Sequence, residues 1–131
     1  MENKEYTLQG LTFTLKKRSL KTRKDTIDLF RDVQKHINDY TFDSKKELDN
    51  AIETDKEIFQ SNYDADLQIA LYTFFTDETN LKTLFDKCLN GEIDKINYEV
   101  DTDEEIDDLI LFGVNVFNDF FISLKREQTK Q

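Results

Sequence analysis

The sequence contains no proline, only three glycines, one cysteine and one histidine among its 131 residues. Because proline and glycine are the residues that most often interrupt helices, their scarcity favours long helices joined by short connections. The single cysteine, Cys88, excludes a disulfide within the chain and fits a reducing cytoplasm. The first ten residues, MENKEYTLQG, have no cationic start followed by an apolar run, so we expect no secretory signal.

The length predicts a single domain that spans residues 1–131. Hydrophobic residues make up 37% of the chain and charged residues 35%, and the 11 phenylalanines are too many for a disordered protein. We divide the chain into a β-hairpin and basic stretch (residues 1–18), a helical body (residues 22–126) and a frayed tail (residues 127–131).

Charge is unevenly distributed along the chain, whose net charge is −10. Residues 1–24 carry seven basic and two acidic residues, whereas the remainder carries 11 basic and 26 acidic ones. The balances are therefore +5 and −15, and the acidic body disfavours nucleic acid and anionic membranes as partners. The basic stretch KKRSLKTRK (residues 16–24) could contact phosphate, but attraction to the acidic body explains it more simply.

The spacing of apolar residues predicts the first elements. Tyr6, Leu8, Leu11, Phe13 and Leu15 alternate with polar residues around Gly10, which predicts a hairpin with Gly10 in its turn. From about Thr22 to Tyr40 the steps become three and four residues, which predicts a helix with this apolar stripe: Ile27, Phe30, Val33 and Ile37. The motif SKKE at residues 44–47 predicts a capping box at the start of a second helix, whose apolar side is Leu48, Ile52, Ile58 and Phe59.

Three further helical segments follow. Helical spacing recurs within residues 65–75, after which Thr76 or Asp77 is a candidate N-cap for a helix that ends at residues 90–91 (NG). Residues 92–100 are ambiguous and could form a short extended linker. TDEE at residues 102–105 is a second capping box, which begins the last helix. We therefore predict a mainly α fold, a small helical domain of about five helices with a short N-terminal β-hairpin.

No arrangement of residues indicates catalysis or a bound metal. His36 has no recognisable serine–acid or cysteine arrangement beside it, and Cys88 lies on an apolar stripe, where a buried thiol is expected. DTDEEIDD (residues 101–108) lacks the central glycine and the closing glutamate of a calcium loop. The three glycines stand alone, so they form no phosphate-binding loop. We expect neither an enzyme nor a cofactor.

The most unusual segment is LILFGVNVFNDFFISL (residues 109–124), which is apolar at 11 of 16 positions. It is too short and too polar to span a membrane, since Asn115, Asn118 and Asp119 interrupt it. Two interpretations remain. Either the helix is central and packed on two sides, or one side packs internally and the other is offered to a partner.

The segment DLQIALYTFFTDETNLKTLFDKCLNGEIDKINYEVDTDEEIDDLILFGVNVFNDFF resembles the tail assembly chaperones of long-tailed, siphovirus-like phages of Gram-positive hosts. The shared pattern is a helix ending in paired aromatics, a threonine–acid cap and a helix closing in leucine-x-glycine. An acidic connector with isoleucines and an aromatic-rich last helix complete it. The similarity covers residues 65–121 best and is a pattern of apolar spacing.

The resemblance implies a non-enzymatic protein that binds the tape measure protein, keeps it soluble and helps recruit tail tube subunits. It also implies a homo-oligomer that acts in the cytoplasm of the infected host cell and is absent from the mature virion. By position, we predict partner or self-contact at Phe112, Val116, Phe117, Phe120 and Phe121. We assign to the core Phe74, Phe75, Leu81, Leu84 and Phe85. The alternative is an acidic inhibitor or nucleic-acid mimic that binds a basic host enzyme.

Overall fold

The computed structural model describes the backbone of residues 4–129 and the side chains of residues 4–121. Within this part of the chain the fold is mainly α, with five α-helices and a three-stranded antiparallel sheet, which confirms the predicted fold class. The elements in chain order are β1 (Glu5–Leu8), β2 (Leu11–Leu15), α1 (Leu20–Tyr40), α2 (Phe42–Asp49), α3 (Lys56–Phe74), α4 (Glu78–Cys88), β3 (Leu89–Asn90) and α5 (Asp103–Thr129). The remainder of the predicted frayed tail, residues 127–131, lies outside the described residues.

The hairpin forms where the alternation predicts it. Gln9 and Gly10 have φ angles of 54° and 76°, so both central residues of the turn are left-handed, as a type I′ turn requires. Leu8 pairs with Leu11 across this two-residue turn. The inward side chains of the sheet are buried: Tyr6, Leu8 and Phe13.

Helix α1 begins at Leu20, two residues before the predicted start, because Ser19 caps it. The Ser19 hydroxyl accepts from the Thr22 backbone N–H, and the Thr22 hydroxyl accepts from the Ser19 N–H at 2.8 Å. The predicted apolar stripe is half wrong, since Ile27 and Phe30 are exposed. The face that packs against α3 and α4 is shifted, and its buried residues are Thr26, Leu29, Val33 and Ile37.

The predicted second helix is wrong at its start and in its continuity. Ser44 lies inside α2, where its hydroxyl donates to the Thr41 carbonyl at 3.1 Å, so it cannot be an N-cap. Residues 50–55 separate α2 from α3, and the predicted apolar side is divided between them. Because the break turns the chain, Ile52 and Ile58 are exposed instead of buried. The helical spacing at residues 65–75 belongs to the second half of α3.

The later boundaries divide between confirmed and wrong predictions. Asp77 caps α4 by accepting from the Asn80 N–H at 3.2 Å, as predicted. The prediction that residues 90–91 end this helix is wrong, because α4 ends at Cys88 and β3 then pairs with β2. The ambiguous residues 92–100 contain one 3₁₀ turn, Ile93–Lys95, instead of a fully extended linker. Thr102 accepts from the Glu105 N–H at 3.1 Å at the start of α5, as the capping motif predicts.

Helix α5 is the central element of the core. It packs against α3 and α4, and the sheet contacts it through Tyr6 and Phe13. Gly113 permits the close approach of α4, since a Cβ atom at this position would lie 2.5 Å from the Leu81 Cδ2 atom. The predicted core residues are all buried: Phe74, Phe75, Leu81, Leu84 and Phe85.

Candidate partner-binding surface

Four of the five side chains predicted to contact a partner lie inside the domain. Phe112, Val116, Phe117 and Phe120 are at most 9% exposed, and only Phe121 is half-buried. The expected free side of α5 is therefore closed in this structure, because the sheet occupies it. The first of the two sequence interpretations, a central helix packed on two sides, describes the geometry. A role for these five residues in partner binding stays a prediction.

The sheet closes α5 through a cluster of aromatic rings around Phe112. The Tyr6 and Phe13 rings meet the Phe112 ring at centroid distances of 6.3 Å and 6.0 Å, both edge-to-face. Phe85 of α4 contacts the same ring at 5.5 Å. Edge-to-face contacts of this kind add to the stabilisation from burial, so the hairpin and α4 are held on one α5 side chain.

Further along α5 the aromatic contacts reach the surface. The Phe117 ring lies 5.7 Å from that of Phe75 and 4.6 Å from that of Phe121. Phe121 in turn contacts Phe30 of α1 at 5.1 Å. Phe30 is 40% exposed, so this row of rings runs from the core to solvent.

An exposed apolar surface continues from Phe30 along α1. Ile27 is 49% exposed and Leu20 is 88% exposed, and steps of three and seven residues place both on the face of α1 that carries Phe30. We call Leu20, Ile27, Phe30 and Phe121 the α1–α5 stripe. A row of apolar side chains at helical spacing is suited to the apolar face of another helix.

A second group of exposed apolar side chains lies where α2 meets α3. Phe42, Ile52 and Ile58 are all exposed, and we call them the α2–α3 corner. Lysines and acids are interspersed with them, and the ion pair between Lys56 and Glu53 (3.4 Å) lies in the same segment. Mixed charges make this corner a less continuous apolar surface than the α1–α5 stripe.

Asp119, the acid within the apolar segment, anchors β1 to α5. Its Oδ2 atom accepts from the Tyr6 hydroxyl at 2.6 Å and from Lys4 Nζ at 2.9 Å. Burial alone would raise the pKa of Asp119, but these two hydrogen bonds outweigh burial and lower the pKa below its ordinary value. The pKa of Tyr6 is raised, because burial and the hydrogen bond to Asp119 both favour the neutral phenol.

The two side chains considered for catalysis have structural surroundings. His36 Nε2 lies 2.9 Å from the Thr73 hydroxyl, and the imidazole packs on Phe74 at 5.5 Å. Burial raises the pKa of the Cys88 thiol to about 12, so the thiol is neutral at physiological pH. Among the described residues no group of three or more histidine, cysteine, aspartate or glutamate side chains is placed to hold a metal ion. Nor does any helix in that part of the chain combine the length and apolarity of a membrane span.

Sequence reasoning missed the contacts of Asp119 and the exposed stripe on α1. Lys4 and Tyr6 are more than 100 residues from Asp119 in the chain, so no local pattern could have paired them. The stripe had a signal, because Ile27 and Leu29 define two adjacent apolar faces and α1 can bury only one of them. Comparison of the chain with protein-family models, with curated proteins and with solved structures found no match.

Proposed function

We propose that this chain is a non-enzymatic phage tail assembly chaperone, which binds and solubilises the tape measure protein and helps recruit tail tube subunits. It acts as a homo-oligomer in the host cytoplasm during infection and is absent from the mature virion. The observation that carries the proposal is the α1–α5 stripe, an exposed apolar row on a chain with a net charge of −10.

The combination of a stripe and an acidic body suits a protein that holds apolar helices in solution. Each large side chain that passes from half-exposed to buried contributes on the order of 1 kcal/mol to binding. The net negative charge keeps the carrier and its complex soluble, since like-charged molecules repel one another. A tape measure protein presents long amphipathic helices, whose apolar faces match a row at helical spacing.

The proposal places the binding site differently from the sequence prediction. Of the five predicted α5 residues, only Phe121 belongs to the stripe, and the other contacts come from Leu20, Ile27 and Phe30 of α1. Binding at the stripe leaves the core closed, because these side chains already face solvent. Binding at Phe112 or Phe120 would require the sheet to leave α5.

Co-expression with the tape measure protein of the same phage tests the proposal. The double variant Ile27→Asp with Phe30→Asp should lower the soluble fraction of the tape measure protein at least several-fold, since two charges interrupt the apolar row. The matched control is Ile52→Asp with Ile58→Asp, which changes equally exposed isoleucines at the α2–α3 corner. The proposal is wrong if the first variant melts like the unmodified protein and still keeps the tape measure protein soluble.

One observation favours the alternative, an acidic inhibitor or nucleic-acid mimic of a basic host enzyme. Residues 101–108 are all exposed at the start of α5, and six of them are acidic. Binding through these carboxylates should be lost at about 1 M salt, where charges are screened beyond about 3 Å. Capture through the α1–α5 stripe should survive that salt concentration, so a salt titration of the complex separates the two functions.

A further inference from the structure

The outer edge of β1 is open. The sheet order is β1-β2-β3, so β1 has a neighbour on one side only within the described chain. In a two-residue type I′ hairpin the pair next to the turn, Leu8 and Leu11, is hydrogen-bonded, and pairing alternates from there. Tyr6 is therefore bonded to β2, whereas Glu5 and Thr7 direct their N–H and C=O groups away from it.

The far side of β2 supports this alternation. Thr12 and Thr14 are the β2 partners of the two outward-facing residues, so their own backbone groups should face β3. Thr14 pairs with Asn90 of β3, and the Thr12 carbonyl oxygen lies 3.1 Å from the Cβ position of Gly91. Two N–H and two C=O groups of β1 therefore face outward at the free edge.

A groove runs between this edge and α5. It has a volume of about 410 Å³. On the β1 side it is lined by residues 4–7, and on the α5 side by Phe112, Asn115 and Asp119. The open backbone groups, the polar α5 side chains and an aromatic ring therefore share one concave surface, as a peptide-binding edge requires.

The α5 side of the groove has polar groups without partners. Asn115 is exposed, and its amide makes no hydrogen bond with any described residue. Asp119 receives both Lys4 and Tyr6 at Oδ2, which leaves Oδ1 without a donor in the described part of the chain. An occupant that adds a strand to β1 could satisfy these groups together with the four backbone groups.

The charges around the groove select a cationic occupant. Alternate side chains of an added strand point toward α5, where they meet the Asp119 carboxylate, and the Glu5 side chain lies at the edge. A lysine or arginine can lay its aliphatic stem on Phe112 while its charge reaches Oδ1. A second copy of β1 suits the site less well, since it would bring another Glu5 and its inward Tyr6 is already buried in its own core.

From this geometry we infer that the β1 edge is a docking site for an extended segment of another protein with a lysine or arginine on its α5-facing side. The main-chain bonds to Glu5 and Thr7 supply affinity, and Asp119 supplies the preference for a cation. The inference does not rest on the proposed function, which concerns a helical partner at a different surface.

A synthetic eight-residue peptide of alternating threonine and valine, with lysine replacing one central valine, is the probe. Titration followed by amide NMR should shift the signals of Glu5, Thr7 and Asn115. Thr7→Pro should weaken binding about tenfold, because it removes one outward N–H group while an edge strand tolerates proline there. Thr7→Val is the matched control, since it keeps the N–H group and should bind within about twofold of the unmodified protein.

The charge preference is tested with a second peptide that has norleucine in place of lysine. The unmodified protein should bind the lysine peptide at least about threefold more tightly, and Asp119→Asn should abolish that preference. This comparison also decides the matter if Thr7→Pro does not fold. The inference is overturned if the lysine peptide does not bind, if a folded Thr7→Pro variant binds it equally, or if the lysine preference persists in Asp119→Asn. Dimerisation without peptide that Thr7→Pro abolishes would also overturn it, because a second copy would then be the occupant.

Discussion

Helix α4 and the α2–α3 corner have similar apolar spacing in the sequence and opposite fates in the structure. In α4 the apolar stripe is wholly buried: Leu81, Leu84, Phe85 and Cys88. At the corner Phe42, Ile52 and Ile58 are exposed, and Ser44 is the buried residue of α2. The difference is the neighbour, since α4 lies against α5 whereas α2 packs on α3 and α1.

The comparison shows that contact with α5 decides which apolar residues become core. Apolar spacing tells which face of a helix can be buried, but a face becomes core only where a second apolar surface meets it. Helix α5 supplies two such surfaces, one for α3 and α4 and one for the sheet. The corner lies beyond their reach.

The largest predicted effect separates a phenylalanine in the core from one at the corner. Phe120→Ala should lower the free energy of unfolding by about 3–5 kcal/mol, because a fully buried ring leaves a cavity in α5 packing. Phe42 is 66% exposed, so Phe42→Ala should cost less than about 1 kcal/mol. Urea denaturation of both variants measures the difference, and equal losses would show that the corner is also core.

The close approach of α4 to α5 gives the next largest effect. Gly113→Leu should destabilise the protein by about 1–3 kcal/mol, because its side chain would collide with Leu81. Gly113→Ala is the control, since the smaller clash is offset by a gain in helix propensity of about 1 kcal/mol. Thermal unfolding followed by circular dichroism reports both. A leucine variant as stable as the alanine variant would contradict the tight α4–α5 contact.

The smallest predicted effect concerns the polar anchor of the sheet on α5. Because the pKa of Asp119 is lower in the folded protein, its ionised form stabilises the fold. This contribution is complete above the ordinary pKa of about 3.9 and is lost as the pH falls through the lower folded-state pKa. After allowance for solvent screening, Asp119→Asn should cost about 1 kcal/mol at neutral pH, and the loss should shrink below about pH 3.9.

Urea denaturation at a series of pH values measures this dependence. Asp108→Asn, which changes an exposed acid on the same helix, is the matched control and should alter stability by less than about 0.5 kcal/mol. A pH-independent loss in Asp119→Asn would mean that the Asp119 charge does not hold the sheet on α5.

Local signals predicted the fold wherever short-range chemistry determined it. Gly10 supplied the turn, Asp77 the α4 cap and Thr102 the α5 cap, since each acts on backbone within three residues. The break at residues 50–55 contains neither proline nor glycine, so the sequence held no signal for it. Asn90 and Gly91 resemble a helix end, but pairing of β3 with β2 outweighed that preference.

The candidate site was less predictable than the fold. The excess of apolar residues on α5 was correctly recognised, but its explanation depended on whether the hairpin covers Phe112. That contact joins residues about 100 positions apart, and no periodicity reports it. For the same reason, the choice between the two faces of α1 required the position of α3 and α4.

Amide hydrogen exchange tests most directly the claim that α5 is the closed centre of the fold. The amides of residues 109–120 should exchange only through global unfolding, because their side chains are packed on two sides. The amides of residues 56–62, next to the corner, should exchange much faster through local opening, since Ile58 and its neighbours bury little. Equal protection of the two segments, or faster exchange in residues 109–120, would contradict the account and show that the aromatic face of α5 opens to solvent.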